Sequence, residues 1–209
     1  CDEVAQAAGR GHTPMLVGED GAYRGYAVLA DRVRPSSRAA IAALHEAGIR
    51  HTVMLTGDNA ATARTIADAA GIDAVHADLM PAQKVEIVRQ LLAEYGAVGM
   101  VGDGVNDAPA LATATVGIAM GAGTAQALET ADVALLGNDL GKLAYAVRLA
   151  QHALRTVRFN IALSIGIKLF FLALVLLGYG SLWLAVLADV GAALVVTLNG
   201  MRLLRWRGA

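Results

Sequence analysis

Val101-Gly-Asp-Gly-Val-Asn-Asp-Ala-Pro-Ala-Leu111 decides how the rest of the chain is read. A short apolar run over 97–101 leads into it and reads as a strand, so Asp103 stands where that strand ends. Glycines on both sides of Asp103 let the backbone turn tightly, and Asn106 and Asp107 follow at once. Three oxygen-bearing side chains in five positions make a site for a hard cation, and Mg²⁺ with a phosphoryl group is its natural occupant. A calcium EF-hand loop fits poorly, because Val105 stands where a ligand is required. The plain alternative is an Asx-rich turn.

A second strand end lies upstream, in Met54-Leu-Thr-Gly-Asp-Asn59. The strand delivers Thr56, Gly57 and Asp58 to its carboxyl end, and a helix begins immediately. Asp58 or Asn59 can cap that helix. The Thr56 hydroxyl and the Gly57 amide then face a bound phosphoryl group beside the positive helix end. Taken alone, the segment is equally a turn with an N-cap. Between the two strand ends, Pro81-Ala-Gln-Lys84 puts a lysine at a helix start, against the usual dipole preference. That placement suits a cation aimed at phosphate, although a lone lysine is usually a surface charge. No Walker A loop occurs, and Gly121-Ala-Gly-Thr-Ala-Gln126 fails the dinucleotide fingerprint at its last position.

Around these segments, short apolar runs alternate with helical patterns. Strands are expected over 52–55, 97–101, 116–119 and 133–136, and helices over 36–47, 59–70, 82–95 and 125–130. Asp139 opens a longer helix. The alternation predicts an α/β fold with a parallel sheet covered by helices, whose active site lies at the carboxyl ends of strands. Residues 12–33 differ. Met15-Leu-Val17, a Gly-Glu-Asp-Gly turn and the run over 23–29 read as a β-hairpin, the end of a separate domain.

The 209 residues carry 17 Lys+Arg against 18 Asp+Glu, and the balance excludes a strongly basic nucleic-acid binder. Hydrophobic residues make up 56% and charged residues only 17%, against roughly 25% charged in ordinary soluble chains. One cysteine, Cys1, excludes an intrachain disulfide. A chain that starts at Cys1 reads as a piece of something longer, and its first ten residues show no secretory signal. The five histidines, His12, His45, His51, His76 and His152, are scattered without helix-ligand spacing.

The apolar excess is concentrated after residue 158. Two stretches, 159–177 and 182–204, each approach the ~20 mainly apolar residues that cross a bilayer, and Gly178-Tyr-Gly-Ser181 supplies a turn between them. The pair reads as a transmembrane hairpin. Arg148, Arg155 and Arg158 flank its entry and Arg202, Arg205 and Arg207 its exit, which places both ends and the soluble segment on the cytoplasmic side. Tyr179, Trp183 and Trp206 sit where interfacial aromatics belong. The alternative is a helical hairpin buried in a large soluble core.

Thr56-Gly57-Asp58, Lys84 and Gly102-Asp-Gly-Val-Asn-Asp107 together resemble the phosphorylation domain of P-type ATPases, within the haloacid-dehalogenase superfamily. Asp31-Arg-Val-Arg34 resembles that family's hinge into this domain. The resemblance implies that Thr56 and Lys84 hold the transferred phosphoryl group, with Gly57 and Asp58 beside it. It also implies that Asp103 binds Mg²⁺, with Asn106 and Asp107 completing the site, and that ATP is the phosphoryl donor. It divides the chain into the end of a nucleotide-binding domain (1–30), the phosphorylation domain (31–157) and two transmembrane helices with a short tail (158–209). The family's phosphorylated aspartate, in its Asp-Lys-Thr-Gly-Thr motif, is absent, as are the actuator domain and the other membrane helices. This polypeptide alone is therefore expected to be inactive, and the upstream domains of the same protein are its expected partners.

Two membrane helices after that domain resemble the heavy-metal (type IB) branch. Lys168 and Asp189 lie near the middles of the two stretches. Ionisable groups at that depth are costly and usually functional, and in an antiparallel hairpin the two can be neighbours whose opposite charges offset desolvation. A purely structural ion pair that fixes helix register is the alternative. Asn160, Ser164 and Lys168 share a helix face at four-residue spacing, and Gly191, Ala192 and Ala193 permit close packing. Asn160, seven residues, Lys168, twenty residues, then Asp189-Val-Gly191 resembles the signature of zinc/cadmium/lead exporters. A carboxylate suits a borderline divalent metal, and the copper-exporting pattern, with Tyr-Asn and a Met/Ser pair, is not matched. The expected whole protein is thus an integral exporter of the bacterial plasma membrane, in contact with lipid, divalent heavy-metal ions and no nucleic acid. A membrane-tethered phosphatase of the same superfamily and a catalytically inactive truncated partner remain alternatives.

Overall fold

The computed structural model describes residues 13–20, 22–29, 33–103, 106–121, 129–137, 139–179 and 181–205. The chain divides into two compact units, Cys1–Ala144 and Tyr145–Ala209.

The first unit opens with the expected hairpin. β1 (Thr13–Glu19) pairs antiparallel with β2 (Ala22–Leu29), with an irregularity between Val17 and Gly18. Helix α1 (Pro35–Glu46) starts on a proline, whose fixed φ suits a first helical turn, and buries Ala40, Ile41 and Leu44. Strand β3 (Val53–Leu55) leads to α2 (Ala60–Ala70), which Asn59 caps by accepting the Thr62 N–H at 2.9 Å. Ala63, Ala67 and Ala70 form the buried stripe of α2 at helical spacing, and left-handed Gly71 ends it. The sequence reading contains no strand over Ala74–His76, yet this segment forms β4, parallel to β3. Three residues with one branched side chain carry too little pattern to be seen. The tight Gly71 stop is what returns the chain beside β3.

Helix α3 (Pro81–Tyr95) begins with Met80 N–H donating to Gln83 Oε1 at 2.8 Å. It leads to β5 (Gly99–Gly102), α4 (Ala108–Thr113), β6 (Val116–Met120) and β7 (Val133–Leu135). β5, β6 and β7 pair in parallel, in that order. The α/β architecture with parallel strands is therefore as expected, but its hydrogen bonds fall into two ladders, β3–β4 and β5–β6–β7, rather than one. The core joins them. Val88, Met100, Ala110 and Leu111 form a buried cluster, and Leu55 of β3 packs against it with Val85, Leu92 and Ala114. The helix expected over 125–130 lies largely outside the described residues, of which Glu129 and Thr130 are helical. Asp31, Arg32, Trp206 and Arg207 also lie outside them.

The longer helix expected from Asp139 and the span expected to begin at residue 159 belong to one helix, α5 (Gly141–Leu174), most of which lies in the second unit. Asp139 Oδ1 accepts the Gly141 N–H at 2.9 Å at its start, and no proline or glycine follows until Gly166 to interrupt it. A π-helical turn, Val175–Tyr179, contains left-handed Gly178 (φ 89°), which ends the helix. Ser181 then caps α6 (Leu182–Met201), and a 3₁₀ turn, Arg202–Arg205, follows. Two helical segments, Gly141–Tyr179 and Val186–Arg205, are long and apolar enough to cross a membrane. Phe159, Leu169, Phe170, Leu194 and Leu198 are all exposed, so within this chain the hairpin is not a buried core element.

Candidate functional site

The loop after β3 is built from short-range bonds. Thr56 Oγ1 donates to Asp58 Oδ2 at 2.9 Å and accepts the Asp58 N–H at 3.1 Å. Because Asn59 takes the helix cap, the Asp58 carboxylate is left to this turn. The loop after β4 braces it: Asp78 N–H donates to the Asp58 carbonyl at 2.8 Å, and Leu79 N–H to the Thr56 carbonyl at 3.0 Å. Gly57 lies close to that brace, since an added Cβ would stand 3.4 Å from the Leu79 carbonyl oxygen.

The loop after β5 meets the start of α3. Lys84 Nζ donates to Asp107 Oδ1 at 2.7 Å, and both side chains are mostly buried, 14% and 16% exposed. This contact resolves the oddity of a lysine in a first helical turn: its charge is answered by a carboxylate across the site. Gly102 makes room for the arrangement. A Cβ there would lie 2.9 Å from Asp107 Oδ2 and 3.0 Å from Asp107 Cβ. Asp103 and Asn106 are exposed at the same strand end, while Gly104 and Val105 lie outside the described residues.

The sequence placed Thr56, Gly57, Asp58, Lys84, Asp103, Asn106 and Asp107 in one site. The structure joins Thr56 to Asp58 and Lys84 to Asp107, and it ties the two strand ends through a shared core. Leu55, directly before Thr56, packs on the cluster that holds Met100 of β5 and Leu111 of α4. Among the described residues, no three His, Cys, Asp or Glu side chains converge as a metal set. The oxygen donors after β5 nevertheless suit a hard cation, with Asp103 and Asn106 facing solvent and Asp107 engaged by Lys84. Sequence reasoning missed that engagement and the role of Gly102. A glycine directly before a functional aspartate was the available signal.

Elsewhere, two of the histidines make side-chain contacts within the first unit. His45 Nε2 lies 3.6 Å from Asp73 Oδ2, and His51 stacks on Tyr95 with ring centroids 4.8 Å apart. Asp73 accepts the Thr52 N–H at 2.7 Å and the Thr52 hydroxyl at 2.8 Å. These two bonds, the backbone one first, hold its carboxyl below the usual range.

In the second unit Lys168 Nζ lies 3.8 Å from Asp189 Oδ1. The pair lines a cavity of about 200 Å³ with Leu172, Tyr179, Ser181 and Leu184. The two charges foreseen at mid-hairpin thus come within contact distance, and both side chains remain mostly exposed.

Residues 2–115 match the family description haloacid dehalogenase-like hydrolase. The chain is 48% identical over 197 residues to the cadmium-transporting ATPase of Staphylococcus aureus, covering 94% of this chain and 27% of that protein. It is 44% identical over 194 residues to the zinc-transporting ATPase of Synechocystis sp., covering 91% of this chain and 27% of that protein. The crystal structure of a zinc-transporting PIB-type ATPase in its E2.Pi state superposes with a TM-score of 0.85 at 42% identity, covering 97% of this chain and 33% of that one. The chain spans little more than a quarter of the length of the curated relatives it matches. With a matching family description over more than half its length and relatives along nearly all of it, the chain belongs to the haloacid dehalogenase-like hydrolases, in their heavy-metal (type IB) P-type ATPase branch.

Proposed function

We propose that this chain is the carboxyl-terminal part of an ATP-driven exporter of divalent heavy-metal ions, zinc, cadmium or lead. Residues 1–30 end its nucleotide-binding domain, 31–157 form its phosphorylation domain and 158–209 its last two membrane helices. The observation that carries the reading is the Lys168–Asp189 pair in an apolar hairpin, set beside relatives named for cadmium and zinc transport. A carboxylate in an apolar helix is costly unless it is paired or binds a cation, and its oxygen donors suit a borderline divalent metal.

In the cytoplasmic part, Thr56 and Gly57 present a hydroxyl and an amide to the phosphoryl group, and Asp58 orients that hydroxyl through its 2.9 Å bond. Lys84 supplies a positive charge near it, held in place by Asp107. Asp103 and Asn106, with Asp107, would hold Mg²⁺, which would supply charge neutralisation on the phosphoryl oxygens. The aspartate that accepts the phosphoryl group from ATP belongs to the rest of the protein. In the membrane, Asp189 binds the metal, and Lys168 replaces the metal at that carboxylate when the site empties. The internal cation then blocks re-entry and removes any need for a counter-transported ion. The soluble part lies on the cytoplasmic side of a bacterial plasma membrane, as the flanking arginines indicate.

The test is metal-stimulated ATP hydrolysis by the complete protein. Asp189→Ala should abolish stimulation by zinc, cadmium and lead while leaving the protein in the membrane. Retained stimulation would remove Asp189 as a ligand and with it this reading of the hairpin.

A further inference from the structure

The hairpin holds a second polar contact that the roles above do not use. Asn199 Nδ2 on α6 donates to Asn160 Oδ1 on α5 at 2.7 Å, and Asn160 Nδ2 donates to the Val196 carbonyl at 3.3 Å. Both asparagines are half-buried, while their neighbours Phe159, Ile161 and Leu198 are exposed apolar side chains. In hydrocarbon an amide without a partner is costly, so each asparagine holds the other and the two helices resist sliding.

The register of this contact is the register of the ion pair. Lys168 lies eight residues beyond Asn160 on the same face of α5, and Asp189 lies ten residues before Asn199 on α6. In an antiparallel hairpin these steps lead from one contact to the other with a mismatch of two residues, about 3 Å along the axis. At 3.8 Å the ion pair is already a long contact, and a slip of one residue, about 1.5 Å along the axis, lengthens it further unless the flexible lysine stem follows.

We propose that Asn160 and Asn199 are positioning residues: their amide clamp sets the register that brings Lys168 to Asp189, and so sets how strongly the ammonium competes with metal for the carboxylate. The functional half of this inference rests on Asp189 being a metal ligand, as proposed above; the register half does not.

The experiment uses the complete protein in lipid nanodiscs, with zinc as the probe. Loosening the clamp by Asn199→Leu weakens the competing ammonium, so zinc binds more tightly and leaves more slowly, and KM for zinc and kcat fall together. KM should fall about threefold and by no more than about twentyfold, the range set by interhelical hydrogen bonds in membranes. Lys168→Ala should shift both constants the same way, and adding Asn199→Leu to it should leave KM where it was. A misfolded fraction would lower kcat and leave KM unmoved. The double variant Asn160→Leu with Asn199→Leu leaves no unpaired amide, so it folds and should reproduce the KM shift.

A second readout is independent of transport. Spin labels at the exposed positions Leu169 and Leu187, with other cysteines replaced by serine, should give one narrow distance in the parent. In either clamp variant the distance should broaden or shift by about 1.5 Å or more, one residue of helix rise. An unchanged distance in both variants overturns the clamp. A KM shift that persists in full without Lys168 overturns its action through the ion pair. Absence of zinc stimulation in the parent defeats the transport reading instead, and the distance measurement then decides the clamp alone.

Discussion

Replacing Gly102 with alanine tests whether the contact between Lys84 and Asp107 is built by close packing. An added Cβ would stand 3.0 Å from Asp107 Cβ and 2.9 Å from Asp107 Oδ2. Carbon atoms rest about 3.5–4.0 Å apart, so Asp107 must retreat by about 0.5–1 Å. The Lys84–Asp107 bond, 2.7 Å long, would then reach or pass the ~3.2 Å limit of a good hydrogen bond. Overpacking of this size costs about 1–3 kcal/mol, and for a chain of this length each kcal/mol lowers Tm by about 2–4 °C. Two other glycines calibrate the result. A Cβ at Gly99, in the same strand, meets only Ile118 Cδ1 at 3.9 Å, an ordinary contact, whereas one at Gly117 meets the Leu111 carbonyl oxygen at 2.8 Å, backbone that has no rotamer to escape into. Thermal unfolding of the soluble segment, followed by circular dichroism of the chain in detergent, should therefore rank Gly99→Ala as nearly harmless, Gly102→Ala as intermediate and Gly117→Ala as worst. Asp107→Ala should shrink the cost of Gly102→Ala by removing the carboxylate from its path. If Gly102→Ala is no worse than Gly99→Ala, the close approach of Gly102 and Asp107 is not what orders this site.

Lys84→Met should destabilise by about 2–3 kcal/mol, below the 3–5 of a fully buried pair because both groups keep some water; adding Asp107→Leu should recover most of that loss in denaturant unfolding. Asn59→Ala should cost about 1 kcal/mol through the lost helix cap, visible as a lower denaturant midpoint. Leu111→Ala, at a site 1% exposed, should cost about 2–5 kcal/mol by opening the cluster shared by both strand ends. For Asp73, the folded-state pKa lies below the unfolded value of about 3.9. Its stabilisation is therefore present above about pH 4 and is lost as pH falls through the lowered folded value. Asp73→Asn should flatten that acid limb of the stability profile, and an unchanged limb would remove the Thr52 bonds as its cause.

Much of the site was written in local chemistry. Thr-Gly-Asp and Gly-Asp-Gly are turn-forming by residue type alone, and Asn59 caps its helix with a bond three residues away. The two membrane stretches are equally local, because length and hydropathy alone decide whether a helix can cross a bilayer. β4 escaped notice because a three-residue strand is defined by its partner β3 and not by its own pattern. The long helix that Asp139 opens was legible as well, and only its uninterrupted passage through residue 158 was not, because charged residues mark a membrane boundary without ending a helix.

The amino-acid order by itself determined which residue types arrive at each strand end, and that a positive and a negative side chain stand mid-way along two apolar helices. Only the folded chain decided who answers whom: Lys84 turns to Asp107, the asparagines of the hairpin meet across 39 positions of sequence, and Gly102 is a matter of space. Such pairings depend on distances between segments far apart along the backbone, which local propensity and periodicity do not encode.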